Sequence, residues 1–435
     1  MLAALAIASG LFSTLLLGTR GEARLRETEG NGTLAVDLEA VPYLRLETRS
    51  RSREFDLTFE YAIDLTLPDL EYAVPGGLQV FQLGALSAWY RAPHDWILGA
   101  AQGGTFGEMN FSYLTPYSVT PSQGTGGAQP PLQIAPCTGV ITTCSTQVVT
   151  YGVSASALTA EYTRGRNTIV LTPSYSVSGG LDSQTRALAQ LPVVSQPHFY
   201  FLFSHVLGRR DETSVLGDVT ASDSTDRACN PENGGPPVDP KDPNPPLCAP
   251  RTQWAGLRAT YRHRVTRRLT YEVTGGATVA RTEIDPSQSY KLLPYPVAGV
   301  RVEYETGRSD RPAMHPLVTD PHTPSVYAYA IVQPVVDTFM GIVDPRLEIG
   351  AAMYQRLDYV RTLFAHAGFV RSLPPTALDT GYFVGDVQVL QRLDPYRFEA
   401  GFGVRGAYQN SPVYGEFYTL SAFLSFIWHE PRIGF

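Results

Sequence analysis

RATYRHRVTRRLTYEVTGGATVA, residues 258–280, is two alternating runs set about a basic turn. Leu257, Ala259, Tyr261, His263 and Val265 alternate with Arg258, Thr260, Arg262 and Arg264. After Thr266-Arg267-Arg268, Leu269, Tyr271, Val273, Gly275, Ala277 and Val279 alternate with Thr270, Glu272, Thr274, Gly276 and Thr278. A period of two sustained this long means a strand with one apolar and one polar face. The fold turns on what those apolar faces meet, a second sheet or lipid.

The pattern recurs on both sides of this hairpin, most clearly over 148–163, 167–178, 253–265, 268–281, 297–306, 346–356, 361–371, 382–392, 397–409 and 414–429. Many runs exceed the roughly 5–6 residues of an ordinary strand and match the roughly 9–11 tilted residues that cross a bilayer. No stretch holds a helical period, and no long repeat stands out. The connectors are of two kinds. Short ones lie at 164–167, 266–268, 357–359 and 393–395, and long ones at 110–146, 181–192, 224–251, 284–289 and 373–380. Between residue 90 and about residue 300 the two kinds alternate, as they do where tight periplasmic turns oppose long extracellular loops. A soluble sandwich has no reason to sort loop lengths by parity. Residues 308–324 break the rule: either a long connector lies on the short-turn side or a strand nearby is miscounted. Parity also requires a strand before 33–48, and ARLRETEGNGTLAVDLEA (23–40) supplies one ahead of Gly30-Asn31-Gly32. The expectation is an all-β protein, a single antiparallel transmembrane β-barrel of about 18 strands, or about 16 if the first hairpin lies outside the wall. A secreted β-sandwich is the competing architecture.

The 435 residues are 43% hydrophobic and only 17% charged. Beyond the N-terminus no apolar run is long enough for a membrane helix, and a net charge of −7 gives nucleic acid no purchase. MLAALAIASGLFSTLLLGTRGEA (1–23) reads as a signal peptide, with an apolar stretch Leu2–Leu17 and small residues for cleavage between Gly18 and Ala23. It departs from the usual form in having no Lys or Arg before the apolar stretch, and a buried or anchoring N-terminal helix is the other reading. The expected division is therefore 1–23 signal peptide, 24–430 barrel and 431–435 C-terminal tail. Cys137 with Cys144, and Cys229 with Cys248, form two local pairs in Gly/Pro-rich segments, where a disulfide would clip a surface loop in an oxidising compartment. Zinc is the competing reading, against which stand the wide spacing, the lack of any CxxC and the lack of histidine within either pair. Glu232, Asp239 and Asp242 offer calcium ligands, but the intervening prolines oppose a compact cradle. No metal or cofactor is expected.

Aromatic residues favour lipid. Trp89, Tyr90 and Trp96 flank the short turn at 91–95, Tyr359 and Tyr396 sit at other short turns, and Trp428 ends the final run. In YTLSAFLSFIW (418–428), Tyr418, Leu420, Ala422, Leu424, Phe426 and Trp428 share one face. This stretch resembles the C-terminal strand by which outer-membrane barrels are recognised for assembly, although HEPRIGF follows it and leaves Phe435 outside the register. Together with the N-terminal segment and the TRRLTY-type turns, it makes residues 30–430 resemble outer-membrane β-barrel proteins of Gram-negative bacteria. LTPSYSVSGGLDSQTRALAQL and YKLLPYPVAGVRVEY resemble mid-sized barrels of deltaproteobacterial type, some of whose relatives are exopolysaccharide-export porins of about 18 strands. The resemblance implies outer-membrane lipid, the barrel-assembly machinery and periplasmic components of a polysaccharide export system as partners.

The polar faces predict the lining of a lumen: Arg258, Arg262, Arg264, Glu272, Arg301, Glu303, Glu305, Asp386, Glu399 and Arg405, with glycine and threonine between them. A barrel of this size is too wide for side chains alone to fill, so a water-filled conduit for polar solutes or an exported polysaccharide is expected. The alternative function is a surface receptor or adhesin working through the clipped loops. Tyr327, Tyr329 and Tyr354 lie on polar faces, where rings could stack on sugars. An enzyme is not expected. Ser204 and His205 are strand neighbours and so point to opposite faces, His263 lies on an apolar face near a turn, His366 has no carboxylate in its own strand, and no GxSxG, HExxH or Gly-rich phosphate loop occurs.

Overall fold

The chain is seen in a computed structural model that describes residues 9–28, 31–50, 55–67, 78–110, 148–181, 193–225, 227–228, 247–248, 251–283, 292–306, 325–336, 343–374, 381–394, 398–411, 415–429 and 433–434. Eighteen long strands make up the wall. They are β1 (Ser9–Thr28), β2 (Asn31–Ser50), β3 (Phe55–Leu67), β4 (Gln79–Ala92), β5 (Trp96–Asn110), β6 (Val148–Arg164), β7 (Asn167–Gly180), β8 (Val193–Val206) and β9 (Asp211–Thr225). The second half continues with β10 (Arg251–Arg264), β11 (Leu269–Glu283), β12 (Leu293–Glu305), β13 (Ser325–Val336), β14 (Val343–Arg356), β15 (Arg361–Ser372), β16 (Gly381–Asp394), β17 (Phe398–Ser411) and β18 (Gly415–His429). Each pairs antiparallel with its chain neighbours, and Leu16–Thr28 of β1 also pairs with Phe417–His429 of β18. The sheet therefore closes on itself, which removes the open edges that an isolated sheet would expose. The first hairpin is in the wall, so the larger expected strand number is the one observed.

The hairpin of β10 and β11 shows how the sequence sets register. Across β10 and β11, Leu257 faces Ala277, Tyr261 faces Val273 and Arg262 faces Glu272. A slip by one residue would exchange the two faces along both strands. Leu257 is 61% exposed while Thr252, on the other face of the same strand, is 1% exposed. The same sorting runs around the ring. Leu86, Leu98, Phe106, Leu158, Phe199, Val219, Val273, Val300, Ile349, Phe369, Val387, Phe402 and Leu424 are all exposed, and all lie on the outward side of their strands by pairing register. A belt of this extent far exceeds the few hundred square ångströms of contiguous apolar surface that a soluble monomer carries. One closed sheet with apolar residues outside is the inverse of a sandwich, in which two sheets bury their apolar faces against each other.

Connector lengths sort by end. Tight turns at 93–95, 165–166, 207–210, 265–268 and 357–360 lie at one end, and the connectors 111–147, 182–192 and 226–250 join strands at the other. The connector 307–324 belongs by topology to the tight-turn end. Glu305 of β12 pairs directly with Ser325 of β13, so no strand is missing there. The turns are locally determined. In the three-residue turn between the paired Ala92 and Trp96, His94 and Asp95 both have φ of 64°, the left-handed conformation that reverses the chain sharply. Asp358 accepts backbone N–H bonds from Val360 (2.9 Å) and Arg361 (2.7 Å), which hold its carboxyl below the usual range. That contribution is present at neutral pH and is lost as pH falls through the depressed value.

Trp89 does not join an outer girdle. It pairs opposite Gly99 on the inward face, where its ring occupies the space a side chain at 99 would take, while Tyr90 on the outward face sits beside Leu98. The first strand begins at Ser9 and so runs through part of the segment expected to be a signal peptide. Beyond β18, Ile433 and Gly434 of the expected tail pair with Ser13 and Phe12.

Candidate functional site

All ten charged residues expected in the lumen lie on the face turned away from the apolar belt: Arg258, Arg262 and Arg264 on β10, Glu272 on β11, Arg301, Glu303 and Glu305 on β12, Asp386 on β16, and Glu399 and Arg405 on β17. Five are arginines and five are carboxylates, so the set has no net sign. Neighbouring positions within and between strands bring several of them together. Arg301 lies 3.2 Å from Glu303 and stacks its guanidinium 4.6 Å from the centre of the Tyr327 ring. Arg392 reaches Glu399 at 3.4 Å, and Asp386 stands opposite Arg405 in the ladder.

His366 and Asp386 meet at 3.3 Å across β15 and β16. The His366 strand itself contains no carboxylate. The partner comes from the next strand, at a distance in sequence that only the register supplies. Two further inward groups went unread in the sequence: Trp254 donates its indole N–H to Asp218 at 2.8 Å, and Ser204 donates to Glu212 at 2.5 Å. Phe423, from the polar face of the last strand, is 5% exposed and lies over Gly403.

The tyrosines expected to meet sugars are in different settings. Tyr327 is half-buried between Arg301 and Tyr329, with the Tyr rings 6.4 Å apart and stacked. Tyr329 is buried with Val370, Tyr382 and Val384, and its ring crosses Gly350 so closely that a β-carbon there would lie 2.6 Å away. These two are packing residues of the inner wall first. Tyr354 stands opposite Ser325 and Phe364 on the inward face.

Ser204 and His205 lie on opposite faces, and His205 bonds Asn167 at 2.6 Å instead. His263 faces outward at the tight-turn end, where its Nδ1 lies 2.7 Å from Asp211. Among the described residues no group of three metal-ligating side chains is gathered. Cys137, Cys144 and Cys229 lie outside the described residues, as do Glu232, Asp239 and Asp242. Cys248 belongs to a two-residue ladder in which Ala228, next to Cys229 in sequence, stands opposite Leu247. That ladder brings the chain on either side of the second cysteine pair together. Peptide mapping without reduction should show Cys229 linked to Cys248 and Cys137 linked to Cys144. Free thiols at these positions in exported protein would count against the loop clips.

The closed ring gives the lumen its scale. With strands about 4.8 Å apart and tilted about 40°, eighteen of them enclose a circle about 35 Å across between backbones. Inward side chains leave a broad aqueous interior unless a connector enters it.

No family model matches the chain, and no curated protein matches its sequence. Among solved structures it is similar to the FrpB iron transporter of Neisseria meningitidis (F5-1 variant, apoprotein form), with a TM-score of 0.51 and 9% identity, over 92% of this chain and 62% of that one. The chain thus spans less than two thirds of FrpB's length. It also aligns with Pseudomonas aeruginosa OccK2 (OpdF) over 96% of this chain and 98% of that one, at a TM-score of 0.43 and 9% identity. A bacterial polysaccharide outer membrane secretin aligns over the same shares at 0.33 and 9%. At those two scores the alignments add nothing to the fold. The wall and the FrpB likeness define the class: an antiparallel β-barrel of the outer-membrane type.

Proposed function

We propose that the chain is a conduit in the outer membrane of a Gram-negative cell, passing hydrated polar solutes through its lumen. The observation that carries this reading is the closed eighteen-strand wall, whose inner face holds charges of both signs among glycine and threonine. A ring of that size cannot be filled by its own side chains. Charges of opposite sign stand beside one another along it, as Arg301 does with Glu303, so they keep the wall wet without forming a single strong binding point. The finer reading, export of a polysaccharide, rests on the sequence resemblance and on an interior broad enough for a hydrated neutral polymer. No enzymatic role is proposed.

Vesicles carrying the purified protein should swell in isotonic solutions of small neutral sugars and progressively less with longer oligosaccharides. Vesicles that hold the folded protein and swell with none of them would remove the conduit reading. Competition by long oligosaccharides against small-sugar entry would support the polysaccharide reading, and indifference to them would remove it.

Export through the N-terminal segment, insertion by the barrel-assembly machinery and delivery by periplasmic export components belong to the same proposal. The closing seam sets a limit on processing, because β1 meets β18 from Leu16 onward. Cleavage after Ala23 would leave only Arg24–Thr28 of that pairing. Mass spectrometry of the membrane-inserted protein should therefore find a mature N-terminus at or before Leu16. A terminus at Arg24 would mean that the seam closes in another way.

A further inference from the structure

Three successive turns at the tight-turn end, 165–166, 207–210 and 265–268, form one continuous arc. Val206 N–H donates to the Arg166 carbonyl (2.9 Å), the Arg166 side chain donates to the Leu207 carbonyl (3.3 Å), and Arg264 N–H donates to the Arg210 carbonyl (2.7 Å). The arc carries Arg164, Arg166, Arg209, Arg210, Arg267 and Arg268, all exposed. The acidic residue among them, Asp211, is turned to the Tyr261 hydroxyl (2.6 Å) and His263 Nδ1 (2.7 Å). No arginine of the arc forms an ion pair among the described residues. The turn at 357–360 is different, since there Asp358 pairs with Arg361 at 3.0 Å and the charge is matched on the spot.

The outward face just inside this arc is aromatic and apolar. Trp96 and Tyr162 pack with ring centres 4.9 Å apart, Tyr261, His263 and Tyr271 cluster within 5.2–6.4 Å of one another, and Leu207 and Val265 are exposed. Amphipathic rings mark the headgroup level of a bilayer, so the unmatched arginines stand where lipid phosphates lie. Guanidinium is the side chain suited to planar, two-point binding of phosphate.

We propose that this arc binds the headgroups of anionic phospholipids in the periplasmic leaflet. The arginines would hold the phosphates, and the aromatic and apolar residues beneath would contact the glycerol and upper acyl chains. The inference rests on the membrane reading for the location of the arc, but not on the lumen conducting anything.

The test is competitive binding of phosphatidylglycerol and phosphatidylcholine to the full-length protein, counted by native mass spectrometry. The wild type should prefer phosphatidylglycerol by at least about tenfold, and the preference should fall towards unity in the variant R209Q/R210Q/R267Q/R268Q. The matching four-lysine variant should keep part of it, and R251Q at the opposite rim should keep all of it. No preference in the wild type, or an undiminished one in the glutamine variant, would overturn the proposal. So would capture of soluble polyanions by the arc without lipid preference. If the glutamine variant does not fold, the wild type alone decides: the preference must weaken as salt is raised, and one unmoved by salt would overturn the proposal. A barrel that fails to conduct yet shows this preference would sink the conduit reading alone.

Discussion

An arginine at position 387 should cost about 2–4 kcal/mol of unfolding free energy, while an arginine at the adjacent position 388 should cost less than about 1 kcal/mol. Val387 is 51% exposed and lies near the middle of β16 on the belt that faces lipid. Gln388 stands on the opposite face, opposite Gly403 and Phe364. The two substitutions introduce the same group one residue apart, so strand propensity and local backbone effects largely cancel. What differs is the medium that receives the guanidinium: hydrocarbon for V387R, the aqueous lumen for Q388R. Denaturant unfolding of the protein in vesicles measures both. Equal costs would contradict the assignment of faces on which every other statement about the wall depends.

The second large effect is expected at the long-connector end of β14. Asp344 is fully buried, Arg346 is 5% exposed, the guanidinium Nε lies 2.5 Å from the carboxylate, and Ser372 donates to the same oxygen at 2.9 Å. Removing one member of a buried pair strands the other charge, at a cost of about 3–5 kcal/mol. D344N should therefore destabilise the barrel strongly, and D344L/R346M should recover most of the loss because it removes both charges. The exposed pair of Arg251 and Asp223, at 52% and 41% side-chain exposure, provides the contrast. R251A should cost no more than about 0.5 kcal/mol. Unfolding measurements on the three variants separate these cases, and a loss below about 1 kcal/mol for D344N would show that water reaches the pair.

The wall was legible in the sequence wherever the alternation is clean. Residues 257–280 give their faces, their turn and their register without any knowledge of neighbours, because Leu, Tyr and Val repeat every second position against Arg, Thr and Glu. Strands β8 and β9 were harder. In 211–225 the outward positions include Gly217 and Ala221, which barely register as apolar, so Asp218 could not be placed inside from its own strand. Contacts between strands were not legible at all. Nothing local joins His366 to Asp386 or Trp254 to Asp218, since register across the ladder makes those pairs. Trp89 was misplaced for a related reason. Nearness to a turn argues for a girdle, but the face is fixed by parity with Gly99 and Tyr90. Parity also accounts for the connector 307–324: the strand count was right, and a long segment does join strands at the tight-turn end.

Single-channel recording in a planar bilayer tests the central claim most directly. The account predicts a steady conductance that rises in proportion to salt, as an open water-filled lumen requires. A bilayer that stays silent although insertion of the folded barrel is verified would contradict it.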